Sequence, residues 1–190
     1  MSVVTYKLDD EVKMLDRIVA IDVETTGFSP EGGDKIIEIV AIEMIDLQIT
    51  NNVFHQYINP NITISDSLSS VTGITASFLE TKPCFPNVAS KLIEFIGASK
   101  LLSSNGSFDL RFLNHELSEL NMDEFSNNQI VDLLKLSREH FPSEPANLDY
   151  YVDKLDINLE EIDAQGAILD ATITALVFQR CFYEIYNSGK

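Results

Sequence analysis

The stretch RIVAIDVETTG, Arg17 to Gly27, decides how the chain is read. Its Ile and Val residues predict a buried strand over Arg17–Val23. Successive side chains on a strand leave opposite faces, so Val19, Ile21 and Val23 share one face and Asp22 and Glu24 the other. Two carboxylates on one face of a buried strand are costly unless a cation compensates them. Hard oxygen ligands of this kind suit Mg²⁺ or Mn²⁺. A strand emerging into solvent accounts for the pair equally well on this evidence alone. Thr25, Thr26 and Gly27 then form a tight exit. Gly27 permits close backbone approach, and N–H groups there suit a phosphate or a sugar hydroxyl.

Outward from this strand, KIIEIVAIEMID and ITNNVFHQYINP are two further β-rich runs, joined by the polar DLQITNN as an antiparallel hairpin. The middle of the chain turns helical. FPNVASKLIEFIG places Val88, Leu92, Phe95 and Ile96 at helix spacing and stops at Gly97. KLLSS predicts a short strand. NGSFDLRFLNHELSEL opens with Asn105 as a cap, and its apolar stripe runs through Phe108, Phe112, Leu113, Leu117 and Leu120. QIVD is a fifth short strand, Asn147 caps LDYYVDKLD, and a last helix is expected from about Gly166 to Tyr186. Three strands followed by helices alternating with two more strands predict an α/β layer fold with a mixed sheet. The expected organisation is an arm over residues 1–16 and one domain over 17–190.

Two more acids stand in telling places. Asp109 lies in the first turn of a helix, where the dipole favours an acid, so a plain surface role suffices for it. Asp170 falls within GAILDATITALVF, a segment otherwise free of charge. Ala167, Ala171 and Thr174 share its face and let the helix press against a close neighbour. An unpaired acid there favours a metal-ligand role.

Composition sets limits on function. Thirteen Lys and Arg stand against 30 Asp and Glu, a formal net charge of −17. That balance argues against a protein gripping nucleic acid through its phosphates. Metal ions would cancel some of the charge locally, and a tethering partner would supply affinity. No apolar run reaches the roughly 18 residues of a membrane span, and no secretory signal is seen at the N-terminus. Cys84 and Cys181 match no metal spacing and read as free thiols in a reducing, cytoplasmic setting.

DVETTG (Asp22–Gly27), NGSFD (Asn105–Asp109) and QGAILDA (Gln165–Ala171) together resemble the three motifs of the DnaQ-like, or DEDDh, 3′–5′ exonucleases. The likeness runs from about Arg17 to Phe182 and includes the hairpin and the VTGIT loop at Val71–Thr75. It implies a ribonuclease-H-like fold, a five-stranded mixed sheet flanked by helices. It also implies phosphodiester hydrolysis with two Mg²⁺ or Mn²⁺ ions. In that scheme Asp22, Glu24 and Asp170 hold the ion that carries the attacking water. Asp22 bridges to a second ion at the leaving 3′-oxygen, and Asp109 supports that second site. Thr25, Thr26 and Gly27, with Asn105, cradle the terminal nucleotide, and Phe28 stacks on or wedges beside a base. The implied substrate is a single-stranded DNA 3′ end, with RNA ends as the alternative. The implied partner is a replicative polymerase, with proofreading as the task. The proofreading subunits of this family continue past the last helix in a polymerase-binding tail. This sequence ends at Lys190, so a catalytic fragment or a stand-alone relative is expected.

One motif position departs from the family. Five residues before the last Asp the family has a histidine that accepts the water's proton, and here stands Gln165. A neutral amide orients water but takes up no proton near pH 7. The subfamily that uses tyrosine places it at the position of Gly166, so that switch has not occurred. His55 reads as a structural strand residue, His115 points away from the face of Asp109, and His140 and Asp163 are remote candidates. The sequence therefore predicts an exonuclease whose binding exceeds its turnover. A non-catalytic binding or assembly module of the same fold is the alternative, although an inert scaffold has no reason to cluster four acids.

Overall fold

The computed structural model describes residues 17–162 and 164–188, so the expected N-terminal arm and Asp163 lie outside the described residues. Five strands form one sheet: β1 (Arg17–Thr25), β2 (Ile36–Ile45), β3 (Gln48–Tyr57), β4 (Lys100–Ser103) and β5 (Ile130–Asp132). Their order is β3-β2-β1-β4-β5. The first three pair antiparallel, and β4 and β5 run parallel to β1. This is the expected mixed sheet. The β2–β3 hairpin turns on Asp46 and Leu47, both at positive φ (48° and 63°), which matches the twist a two-residue hairpin needs.

Seven helices flank the sheet among the described residues: α1 (Asp66–Thr72), α2 (Ala76–Leu79), α3 (Phe85–Ile96), α4 (Gly106–Glu119), α5 (Leu133–His140), α6 (Leu148–Lys154) and α7 (Ala167–Ser188). The alternation read from β1 fixes the layers. Val19, Ile21 and Val23 are buried with Leu92 of α3 and with Phe112 and Leu113 of α4. Ile18 and Ala20 face the opposite layer, with Tyr151 of α6 and with Ala171, Ala175 and Phe178 of α7. Asp22 and Glu24 therefore lie on the α7 side. The small residues of α7 act as expected: Ala167, Ala171, Thr174 and Ala175 are buried as the helix lies against β1 and β2.

The last helix begins one residue later than expected. Gly166 has φ +59°, a left-handed conformation outside any right-handed helix. A bulge between Glu24 and Thr25 leaves Ile37 of β2 unmatched, and Ile37 turns into a small third cluster with Ile64, Ile74 and Leu79. Bulges of this kind re-aim side chains at sheet ends. No described helix is long and apolar enough to cross a membrane.

Candidate active site

The bulge marks where the sheet turns from hydrophobic to acidic. One carboxylate oxygen from each of Asp22, Glu24 and Asp170 lies within 4.8 Å of the other two. Strand β1 supplies the first two and the first turn of α7 the third. Asp22 and Glu24 are half-buried at this sheet end rather than on a strand open to solvent. Desolvation first, then the charges of Asp109, Asp170, Glu24 and Glu38, push the Asp22 carboxyl well above the usual carboxylate range. Burial, with Glu38 and Asp170 beside it, pushes Glu24 up to about 7. Burial and the neighbouring Asp149 and Glu38 raise Asp170.

Asp109 is the fourth acid of the motifs, and the structure places it inside rather than on the surface. It is 3 % exposed at the start of α4. Its Oδ2 accepts a hydrogen bond from Ser103 Oγ at the end of β4. Burial raises its carboxyl to about 7, the Ser103 bond opposes that, and Asp132, Glu24 and Asp170 add to it. Ser103 in turn accepts the N–H of Asn105 at 3.0 Å. Asn105 occupies the cap position of α4 as expected, but its side chain makes no capping hydrogen bond, and it is exposed.

The Thr25–Gly27 turn is built by its own side chains. Thr25 Oγ1 donates to the carbonyl of Gly27 at 2.6 Å, and Thr26 Oγ1 accepts the N–H of Lys35 at 2.9 Å. A Cβ at Gly27 would stand 2.4 Å from both carboxylate oxygens of Asp34, so the absence of a side chain leaves Asp34 its place. Phe28 beyond the glycine is 83 % exposed. Its ring meets Phe108 edge-on at 6.4 Å, and its carbonyl accepts a hydrogen bond from Arg111.

Gln165 is exposed, immediately before the left-handed Gly166. Of the histidines weighed as substitutes, His115 faces Glu119 at 3.6 Å, and His140 ends α5. His55 is a strand residue, as expected, and its Nε2 lies 2.7 Å from Glu38 Oε1. Glu38 is the acid that sequence reasoning missed. It pairs opposite Glu24 across β1 and β2 and is 1 % exposed. A lone Glu inside the apolar run Ile36–Val40 was the available signal, the same signal that picked out Asp170.

The donor set fits divalent cations. Among the described residues no Lys or Arg forms an ion pair with Asp22, Glu24, Asp109 or Asp170. Four desolvated acids without a cation repel one another, and an all-oxygen cluster of this charge suits Mg²⁺ or Mn²⁺.

A mixed sheet ending in such a cluster offers an all-oxygen site for metal-dependent chemistry. The exonuclease family model (RNase_T) matches residues 19–178, and the chain belongs to this family, the DnaQ-like 3′–5′ exonucleases, which are phosphodiester hydrolases. Its relatives include the DNA polymerase III subunit epsilon of Buchnera aphidicola subsp. Baizongia pistaciae, 38% identical over 174 residues, covering 88% of this chain and 71% of that protein. The DNA polymerase III subunit epsilon of Rickettsia felis is 38% identical over 167 residues, covering 85% and 72%. Among solved structures, the 3′-exonuclease that recognises the 3′ end of the histone mRNA stem-loop superposes with TM-score 0.72 at 25% identity, over 89% of this chain and 82% of that one. Exonuclease I of E. coli, solved with a dT13 oligonucleotide, shares the fold with TM-score 0.73 at 17% identity, over 90% and 43%.

Proposed function

We propose that the chain removes nucleotides from single-stranded DNA 3′ ends with two Mg²⁺ or Mn²⁺ ions, as a proofreading exonuclease working beside a replicative polymerase in the cytoplasm. The observation that carries this reading is the Asp22–Glu24–Asp170 cluster, with buried Asp109 beside it and, among the described residues, no Lys or Arg paired with it. Asp22, Glu24 and Asp170 would hold one ion, and Asp22 with Asp109, oriented by Ser103, would hold the other. Ions bound there would supply Lewis-acid chemistry, lowering the pKa of a bound water and offsetting charge on a leaving oxygen. The turn at Thr25, Thr26 and Gly27, with Asn105, receives the terminal nucleotide, and exposed Phe28 offers a stacking face. Gln165 orients the water through its amide but accepts no proton. The named activity of the epsilon relatives favours DNA and the polymerase partnership.

An RNA end is the second reading, favoured by the likeness to the histone mRNA 3′-exonuclease. Matched 3′-labelled DNA and RNA oligonucleotides, incubated with Mg²⁺ or Mn²⁺, separate the two. Stepwise loss from the DNA 3′ end that vanishes in Asp22→Ala is the expected result. Equal inertness of the protein and of Asp22→Ala on both oligonucleotides would overturn the reading.

A further inference from the structure

Glu38 is a carboxylate set among Ile36, Ile37, Ile39 and Val40, and its side chain is almost wholly enclosed. Burying a carboxylate costs several kcal/mol unless its oxygens find partners. Each oxygen has a distinct neighbour. Oε1 lies 2.7 Å from Nε2 of His55. Oε2 faces Gly166, where a Cβ would stand 3.0 Å away. The strand register places Glu38 beside Glu24 on one side and Tyr57 on the other, and sets His55 opposite Val40. All of these share the α7 face of the sheet. Tyr57 packs on the His55 ring with centroids 4.9 Å apart, holding the imidazole toward Glu38.

Gly166 is the hinge between exposed Gln165 and α7. Its carbonyl accepts the N–H groups of Leu169 and Asp170 at 3.0 and 3.2 Å, so its placement sets the first turn, from which Asp170 projects. Its φ of +59° disfavours any side chain, and a Cβ there would press on the Glu38 carboxylate at 3.0 Å. One buried acid thus backs the turn that presents Gln165 and starts the helix of Asp170, while an imidazole anchors that acid from the edge strand.

We infer that Glu38 and His55 form a positioning pair for the hydrolysis, seating the Gln165–Gly166 turn against the carboxylate cluster. This role rests on Gln165 orienting the water, as proposed above. Neither residue touches substrate. A purely structural pair would cost stability across the sheet, whereas a positioning pair acts on one turn.

The test compares the parent chain with His55→Leu, which removes the partner, and His55→Gln, which restores an N–H donor. In His55→Leu, hydrogen exchange across residues 164–170 is expected to quicken about tenfold while β1 and β4 keep their protection. Its kcat on a single-stranded oligonucleotide is expected to fall about tenfold with KM within twofold, and His55→Gln is expected to recover kcat to within about threefold. Unchanged exchange across 164–170 in an active His55→Leu variant would overturn the pair alone. A kcat loss that His55→Gln fails to repair, with β1 and β4 losing protection too, would also overturn it by showing general loosening. A parent chain inert on every oligonucleotide removes the functional reading and the pair with it.

Discussion

Single side chains carry the chemistry, and the sharpest test is at Gln165. Installing the proton acceptor should release a step that the amide leaves unaided. Gln165→His is expected to raise kcat by about a hundredfold, within the range general bases supply. A rate within twofold of the parent would show that proton acceptance does not limit turnover. Gly27 tests the turn instead. In Gly27→Ala a methyl would have to displace Asp34, whose Oδ2 accepts the N–H of Ser29 at 2.9 Å. Overpacking of this kind typically costs about 1–3 kcal/mol, so denaturant unfolding should show a loss of that size, with KM rising as the Phe28 loop shifts.

At the scale of elements, β1 and the first turns of α4 and α7 hold acids that bind their protons more tightly in the fold than in the unfolded chain. Glu24 and Asp109 are raised to about 7, and Asp22 and Asp170 are raised too. As pH rises through the ordinary carboxylate range near 4, the unfolded chain ionises first. The contribution of these acids to metal-free stability should therefore fall as pH rises from about 4 through about 7. The melting temperature in a chelator, followed against pH, checks the sign; a rise over that interval would contradict it. Millimolar Mn²⁺ at pH 7 should restore stability by binding the ionised cluster, by about 2.7 kcal/mol at a hundredfold excess over Kd. The elements were unequally legible. β1 to β5 and α3, α4 and α7 announce themselves by β-branched runs or helix spacing. α1 and α2 are short, polar and held by the caps of Ser65 and Thr75, so no apolar period betrays them. Asp22, Glu24 and Asp170 stood out as acids among apolar neighbours. The burial of Asp109 and the place of Glu38 depend on register between distant segments, which no local pattern contains.

For the whole molecule, the net charge of −17 limits how it meets a polyanion. Affinity should come from the cations at the cluster and from base contacts, not from a basic track along the strand. Binding of a fluorescent single-stranded oligonucleotide with a nuclease-resistant 3′ end, at fixed Mn²⁺, should give a log–log salt slope no steeper than about −2, equivalent to roughly three phosphate contacts. A slope near −5 would point to an extended phosphate grip and contradict this view. Chelation should weaken binding far more than added NaCl does.

Among the described residues the sheet has two unpaired rims, β3 and β5, and they are blunted in different ways. β5 is only three residues long, too short to template another chain. β3 runs for ten residues, but Thr50–Asn52 stand where β2 offers Glu43 alone. Glu43 gathers Arg17, Thr50 and Asn52 with hydrogen bonds of 2.7, 2.9 and 3.2 Å, which pins the irregularity in place. An incoming strand would lose its ladder midway along β3. Edge-to-edge aggregation, the common hazard of open sheets, is thereby obstructed by the strand itself, and the opposite end of β3 stays available for His55.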